Sequence, residues 1–128
     1  MVICIDFDGT CVTHDYPKIG KDIGAIPVLK KLIESGHKLV LFTMRCDSEN
    51  GNFLEDAVKW FSANNIELFG ININPTQKSW TSSPKAFGEL YIDDLALGCP
   101  LTFNKELSNN PFVDWSLIEL YLTESNII

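Results

Sequence analysis

Two aspartates stand one residue apart at the end of the first apolar run: Val2-Ile3-Cys4-Ile5 leads straight into Asp6-Phe7-Asp8-Gly9-Thr10. A short β-branched run of this kind reads as a buried strand. The glycine then ends it in a sharp turn. Asp6 and Asp8 therefore sit at the C-terminal tip of a strand, where open α/β sheets place their ligands. Two carboxylates on a packed, turning backbone repel each other unless something positive or a shared proton compensates. A divalent cation is the simplest compensation. An isolated Asp-Gly is an ordinary turn. Two acids, a Gly and a Thr at fixed offsets after a buried strand point to catalysis instead.

Two more apolar runs end in polar groups. Leu39-Val40-Leu41-Phe42 runs into Thr43-Met44-Arg45, and Leu90-Tyr91-Ile92 runs into Asp93-Asp94. In a parallel sheet these ends share one edge. Four carboxylates, the Thr43 hydroxyl, the Arg45 guanidinium and one or both of Lys78 and Lys85 then converge on one crevice. Carboxylate oxygens suit Mg²⁺, which keeps some waters and binds together with substrate phosphate. The hydroxyl and the cations suit an anionic, tetrahedral ligand, so the set describes a phosphoryl site. His14 and His37 read as exposed loop residues. Trp60, Trp80 and Trp115 read as core or lid residues, with Trp80 best placed to meet substrate.

Those groups need strands and crossovers to position them. Residues 11–23 are polar, with Pro17 and Gly20, and read as a loop or small hairpin over the first strand's tip. Ile26, Leu29, Leu32 and Ile33 at helical spacing predict a helix over 25–35, stopped by Gly36. Residues 46–52 are a polar loop. Leu54, Ala57, Val58 and Phe61 mark an amphipathic helix closed by Asn64-Asn65. Residues 66–73 read as a strand interrupted by Gly70. Ser83-Pro84 has the form of a helix start, opening a short helix before the strand at Leu90. Gly98-Cys99-Pro100 is a turn, and Leu101-Thr102-Phe103 a further short strand. Asp114 caps a terminal helix with Leu117, Ile118, Tyr121 and Leu122 on its inner face. Strand–helix alternation with short connections predicts an α/β fold: a Rossmann-like, three-layer α/β/α sandwich with a mainly parallel sheet and right-handed crossovers.

The bulk properties agree with one domain over residues 1–128. That length holds a real core, and 45% hydrophobic with 21% charged residues is the composition of a soluble globular chain. A net charge of −7 argues against a broad nucleic-acid footprint, which needs a basic face. It is compatible with a small phosphorylated ligand, because a metal and one or two cations reverse the field locally. No apolar stretch reaches membrane-span length. The N-terminus has no basic region before its apolar run, so no secretory signal is read and a cytoplasmic location is expected. Cys4, Cys11, Cys46 and Cys99 form no C-x-x-C pair and read as small apolar residues in a reducing compartment.

With these motifs in place, the chain resembles the haloacid dehalogenase superfamily of phosphohydrolases. The matching segments are Asp6-Phe7-Asp8-Gly9-Thr10, Leu41-Phe42-Thr43, Lys85 and Ile92-Asp93-Asp94, in the family's order, across residues 1–103. The resemblance implies a Mg²⁺-dependent phosphatase acting through an aspartyl-phosphate. Asp6 would be the nucleophile. Asp8 would protonate the leaving oxygen and then activate water. Thr43 would hydrogen-bond a phosphoryl oxygen, and a lysine would neutralise the nucleophile. Lys85 is favoured over Lys78, since the amides of a helix start would also face the anion. Asp93 would hold the metal with Asp6 and the backbone carbonyl of Asp8, Asp94 acting directly or through water. Gly9, Thr10 and Met44 are substrate-binding candidates, and Arg45 is one for a distal substrate group, with a surface ion pair as its alternative.

Many members of that superfamily carry a large cap domain. The gaps between the motifs are too short to hold one, so an open site is expected, roofed by residues 11–23 and 74–82. An open site suits a bulky phosphoester or closure by a partner subunit. A small phosphoester is the expected partner, with nucleic acid disfavoured and no membrane involved. The competing readings are a phospho-accepting module of the receiver type and a nucleotide or nucleic-acid-end phosphatase.

Overall fold

The computed structural model describes all residues, Met1–Ile128. Its centre is a four-stranded parallel sheet of β1 (Val2–Ile5), β2 (Lys38–Leu41), β5 (Leu68–Ile71) and β6 (Leu90–Ile92), in spatial order β5-β2-β1-β6. Numbered along the chain, these four strands lie 3-2-1-4, the start of the Rossmann order. The expected Rossmann-like α/β fold is therefore what the chain forms. Two small antiparallel pairs lie outside the sheet: β3 (Asp47–Ser48) with β4 (Gly51–Asn52), and β7 (Leu101–Thr102) with β8 (Phe112–Val113).

The three helices are α1 (Ala25–Glu34), α2 (Phe53–Ala63) and α3 (Trp115–Glu124). Gly36 stops α1 at a positive φ of 85°, as its position predicts. Asp114 caps α3, its Oδ1 accepting from the amides of Ser116 and Leu117. The inner face of α3 is turned from the expected one. Trp115, Ile118 and Leu122 are buried, while Leu117 and Tyr121 are exposed.

Strand alternation gives each face of the sheet its own set of side chains. Ile3, Ile5, Leu39 and Leu41 point to one side, in a single core cluster with Leu29 and Leu32 of α1, Phe61 of α2 and Ile118 of α3. Cys4 and Val40 point to the other side, beneath Ala86. The expectation of helices on both faces needs correction here. The buried residues of all three helices join the first cluster, and the segment over 72–89 covers the second face.

No helix starts at Ser83-Pro84, and the physical reason is visible. The side chains of Asn74 and Gln77, both buried, satisfy the backbone that a helix would have satisfied itself. Gln77 Nε2 donates to the carbonyls of Ser83 and Lys85, and its Oε1 accepts from the Phe87 amide. Asn74 Nδ2 donates to Phe87 O, and its Oδ1 accepts from Thr76. Local side-chain bonds of this kind compete with helix. No helix is long and apolar enough to cross a membrane.

Candidate functional site

The site is built on the C-terminal edge of β1, β2 and β6. Pairing continues one residue past β1, where the Asp6 amide donates to Ile92 O at 3.0 Å. By alternation Asp6 shares the face of Cys4. Phe7 turns the other way into the core, and that anchors the turn. Gly9 follows with φ +80°, and a Cβ there would overlap the His14 imidazole and the Asp94 carboxylate. Only glycine lets this loop close against both.

Ligand oxygens of Asp6, Asp93 and Asp94 lie within 4.8 Å of one another. Thr10, fully buried, knits them together. Its hydroxyl lies 2.7 Å from Asp6 Oδ2 and 3.3 Å from Asp94 Oδ1, and it accepts from the Asp94 amide. Burial pushes the Asp6 carboxyl up from an ordinary 3.8 to about 7, with the Asp93 and Asp94 charges adding to it. The bonds from Thr10 and the Phe7 amide pull the other way. No lysine or arginine forms an ion pair with Asp6, Asp93 or Asp94. Three close hard-oxygen donors with no lysine or arginine paired to them fit a Mg²⁺ ion, which these three carboxylates would hold.

The Asp8 side chain stands apart from that group, which leaves only its backbone carbonyl for the metal role expected of it. Both its oxygens accept from Arg45, Oδ2 from Nε and Oδ1 from Nη2, each at 2.7 Å. The remaining Arg45 donors go to the carbonyls of Pro17, Lys18 and Phe53. All five guanidinium N–H groups are thereby used, and Arg45 is only 3% exposed. Neither expected role holds for Arg45. It is no surface ion pair, and it has no donor left for a substrate. It fixes Asp8, ties down residues 16–18 and holds the start of α2.

Thr43 stands at the end of β2. Its amide donates to Asn72 Oδ1, and its hydroxyl accepts from the Arg45 amide, keeping the O–H hydrogen for another partner. Met44 beside it is 96% exposed. The two lysines are not brought to the acids. Lys85 Nζ stacks over the Tyr91 ring, 5.2 Å from its centroid, and exposed Lys78 lies on a single 3₁₀ turn, Gln77–Ser79. With the helix at Ser83 absent, the reason for preferring Lys85 disappears as well.

Several contributors were not singled out as site residues. His14 Nε2 lies 2.8 Å from Asp94 Oδ2, so the strap over residues 11–23 closes onto the acidic group. Trp115 Nε1 donates to Thr10 O, and the Val113 amide to Gly9 O, so β8 and α3 buttress the loop from below. Asn72 holds Thr43. The only sequence signal for His14 was its position in the roof of the strand tip, and no local signal marks Trp115 or Asn72. Cys11 is buried, with its thiol donating to Asp6 O at 3.2 Å, and burial pushes that thiol well above its ordinary range. All four cysteines are free; Cys4 and Cys11 are buried as small apolar residues would be, Cys99 is partly buried, and Cys46 is exposed.

No family model matches the chain, and no curated protein matches it. A solved structure does match, that of a conserved protein coded by a locus of Bacteroides thetaiotaomicron. It is 32% identical, with a TM-score of 0.76 over 98% of this chain and 91% of that one. Identity and coverage of that order leave the two chains differing in detail and not in architecture, and the chain belongs to the same family as this conserved Bacteroides protein.

Proposed function

We propose that the chain is a capless, Mg²⁺-dependent phosphatase of the haloacid dehalogenase type, hydrolysing a phosphomonoester through an aspartyl-phosphate on Asp6. The observation that carries this is the Asp6–Asp93–Asp94 cluster at a parallel strand edge, with no lysine or arginine paired to it. Bound Mg²⁺ would neutralise developing charge on the phosphoryl oxygens. Asp6 attacks phosphorus as the carboxylate, and the bond to the leaving oxygen breaks. Thr10 orients Asp6 through its 2.7 Å bond. Thr43 donates its free O–H to a phosphoryl oxygen. Asp8 acts as the acid in its protonated form, with one Arg45 bond released, and gives its proton to the leaving oxygen. As the carboxylate it then takes a proton from the water that attacks phosphorus, which breaks the bond from phosphorus to Asp6 and releases inorganic phosphate and the Asp6 carboxylate.

One observation favours this over the receiver-type reading. Receivers are flavodoxin-like, with parallel order 2-1-3-4-5, and this sheet runs 3-2-1-4. The test is a panel of phosphomonoesters assayed with Mg²⁺ and with chelator. Repeated turnover that chelator stops and Mg²⁺ restores supports the reading. One-time phosphorylation without turnover supports a receiver, and activity untouched by chelator removes the metal from the account.

A further inference from the structure

A cavity of about 650 Å³ adjoins the acidic cluster at Asp94, which lines it together with His14. Its size is that of a small-ligand pocket. Leu95 and Leu101 give it apolar walls and are both exposed. Tyr16 gives it an aromatic one. That ring is braced from behind, with the Arg45 guanidinium 5.1 Å and the Phe53 ring 5.4 Å from it, yet it stays 57% exposed. A braced ring with free area is a stacking face that orders at little entropic cost. Asp15 and Asn110 add polar groups at the wall. Asparagine both donates and accepts, and an aspartate accepts twice over, which suits hydroxyl groups.

The charge of the lining is the telling feature. Two carboxylates, Asp15 and Asp94, face the cavity, and no lysine or arginine does. A second phosphate on the ligand would meet Asp15 without a cation to receive it. The lysine-bearing hollow at Asn72, Lys78 and Thr81 is a separate one. The smaller, more apolar groove between β6 and α3 carries no charged side chain.

Resting on the phosphatase reading, we propose that this cavity holds the leaving alcohol and that Asp15 filters it by charge. The ligand class is the monophosphate of an uncharged, polyhydroxylated alcohol, a sugar monophosphate, and not a bisphosphate. The sugar's apolar face lies on Tyr16, its hydroxyls reach Asp15 and Asn110, and its phosphate stands at Asp6.

The experiment compares a hexose monophosphate with the matching hexose bisphosphate, at fixed ionic strength with Mg²⁺. The wild type should favour the monophosphate in kcat/KM by about tenfold or more, the scale of an unpaired like-charge contact. Asp15→Lys should shrink or invert that ratio through the KM of the bisphosphate, with Asp15→Asn between. Tyr16→Ala should raise the KM for the hexose monophosphate. Calorimetry on Asp6→Asn measures the binding of both esters without turnover. Equal use of the two esters, or a ratio that Asp15→Lys leaves unmoved, overturns the proposal. If no ester is hydrolysed by the wild type, the phosphatase reading fails, and the calorimeter still decides the cavity: a monophosphate preference upholds it, and no binding of either ester overturns it.

Discussion

Asp6 carries a proton at pH values where an ordinary aspartate is ionised, because it is buried beside Asp93 and Asp94. The unfolded chain releases that proton near 3.8 and the folded chain near 7. Across that window the folded state binds more protons, so this group's contribution to stability falls as pH rises from the lower value through the upper one. Asp6→Asn removes the dependence. In metal-free protein the melting temperature of Asp6→Asn should exceed that of the wild type by more at pH 8 than at pH 5, and thermal denaturation at the two values checks it. The same variant should lose turnover, since an amide cannot attack phosphorus. Arg45 is the other decisive residue. Arg45→Ala strands Asp8 without its partner and cuts the ties to residues 17, 18 and 53, and breaking a buried pair in this way costs about 3–5 kcal/mol, readable by chemical denaturation. Arg45→Lys should recover only part, since an ammonium cannot reproduce five donors in a planar fork. Asp6, Asp93 and Asp94 were legible in the sequence because each ends an apolar run, and strand ends on one edge converge. The Arg45–Asp8 pair was not, because nothing local in Thr43-Met44-Arg45 says which carboxylate the guanidinium meets.

At the scale of elements, the site is a loop clamped from two sides. Above it the strap over 11–23 reaches Asp94 through His14. Below it β8 and α3 hold Gly9 and Thr10 through Val113 and Trp115. Gly9 is where the clamp closes. Gly9→Ala forces a side chain into a positive φ and into His14 and Asp94 at once. It should destabilise the protein by about 1–3 kcal/mol, the range for local backbone strain, and spread the carboxylates. Weaker Mg²⁺ binding by titration calorimetry, out of proportion to the stability loss, is the expected sign. The helices α1, α2 and α3 were legible from apolar spacing and their stop signals. The short pair β7–β8 was only half legible, since two residues of strand leave no period to read. The absent helix at Ser83-Pro84 shows why a good cap does not make a helix. Asn74 and Gln77, buried in the loop just before it, satisfy the same backbone groups from inside the fold.

The whole molecule is a parallel sheet with its helices on one face and a short, side-chain-braced segment on the other. That economy leaves the C-terminal edge open, with an acidic cluster at its centre and a net charge of −7 on the chain. The central claim concerns what happens on that edge: Asp6 takes up the phosphoryl group. The most direct test is acid-quenched mass spectrometry of the peptide containing Asp6, after brief reaction of an Asp8→Asn variant with an aryl phosphate and Mg²⁺. A good leaving group needs little help from an acid in the first step, while the water step loses its base. The account predicts a phosphorylated Asp6 peptide that accumulates in Asp8→Asn and is absent without Mg²⁺ or when Asp6 is also changed to Asn. Turnover of the aryl phosphate by wild-type protein with no phosphoryl group ever found on Asp6, in wild type or variant, would contradict it.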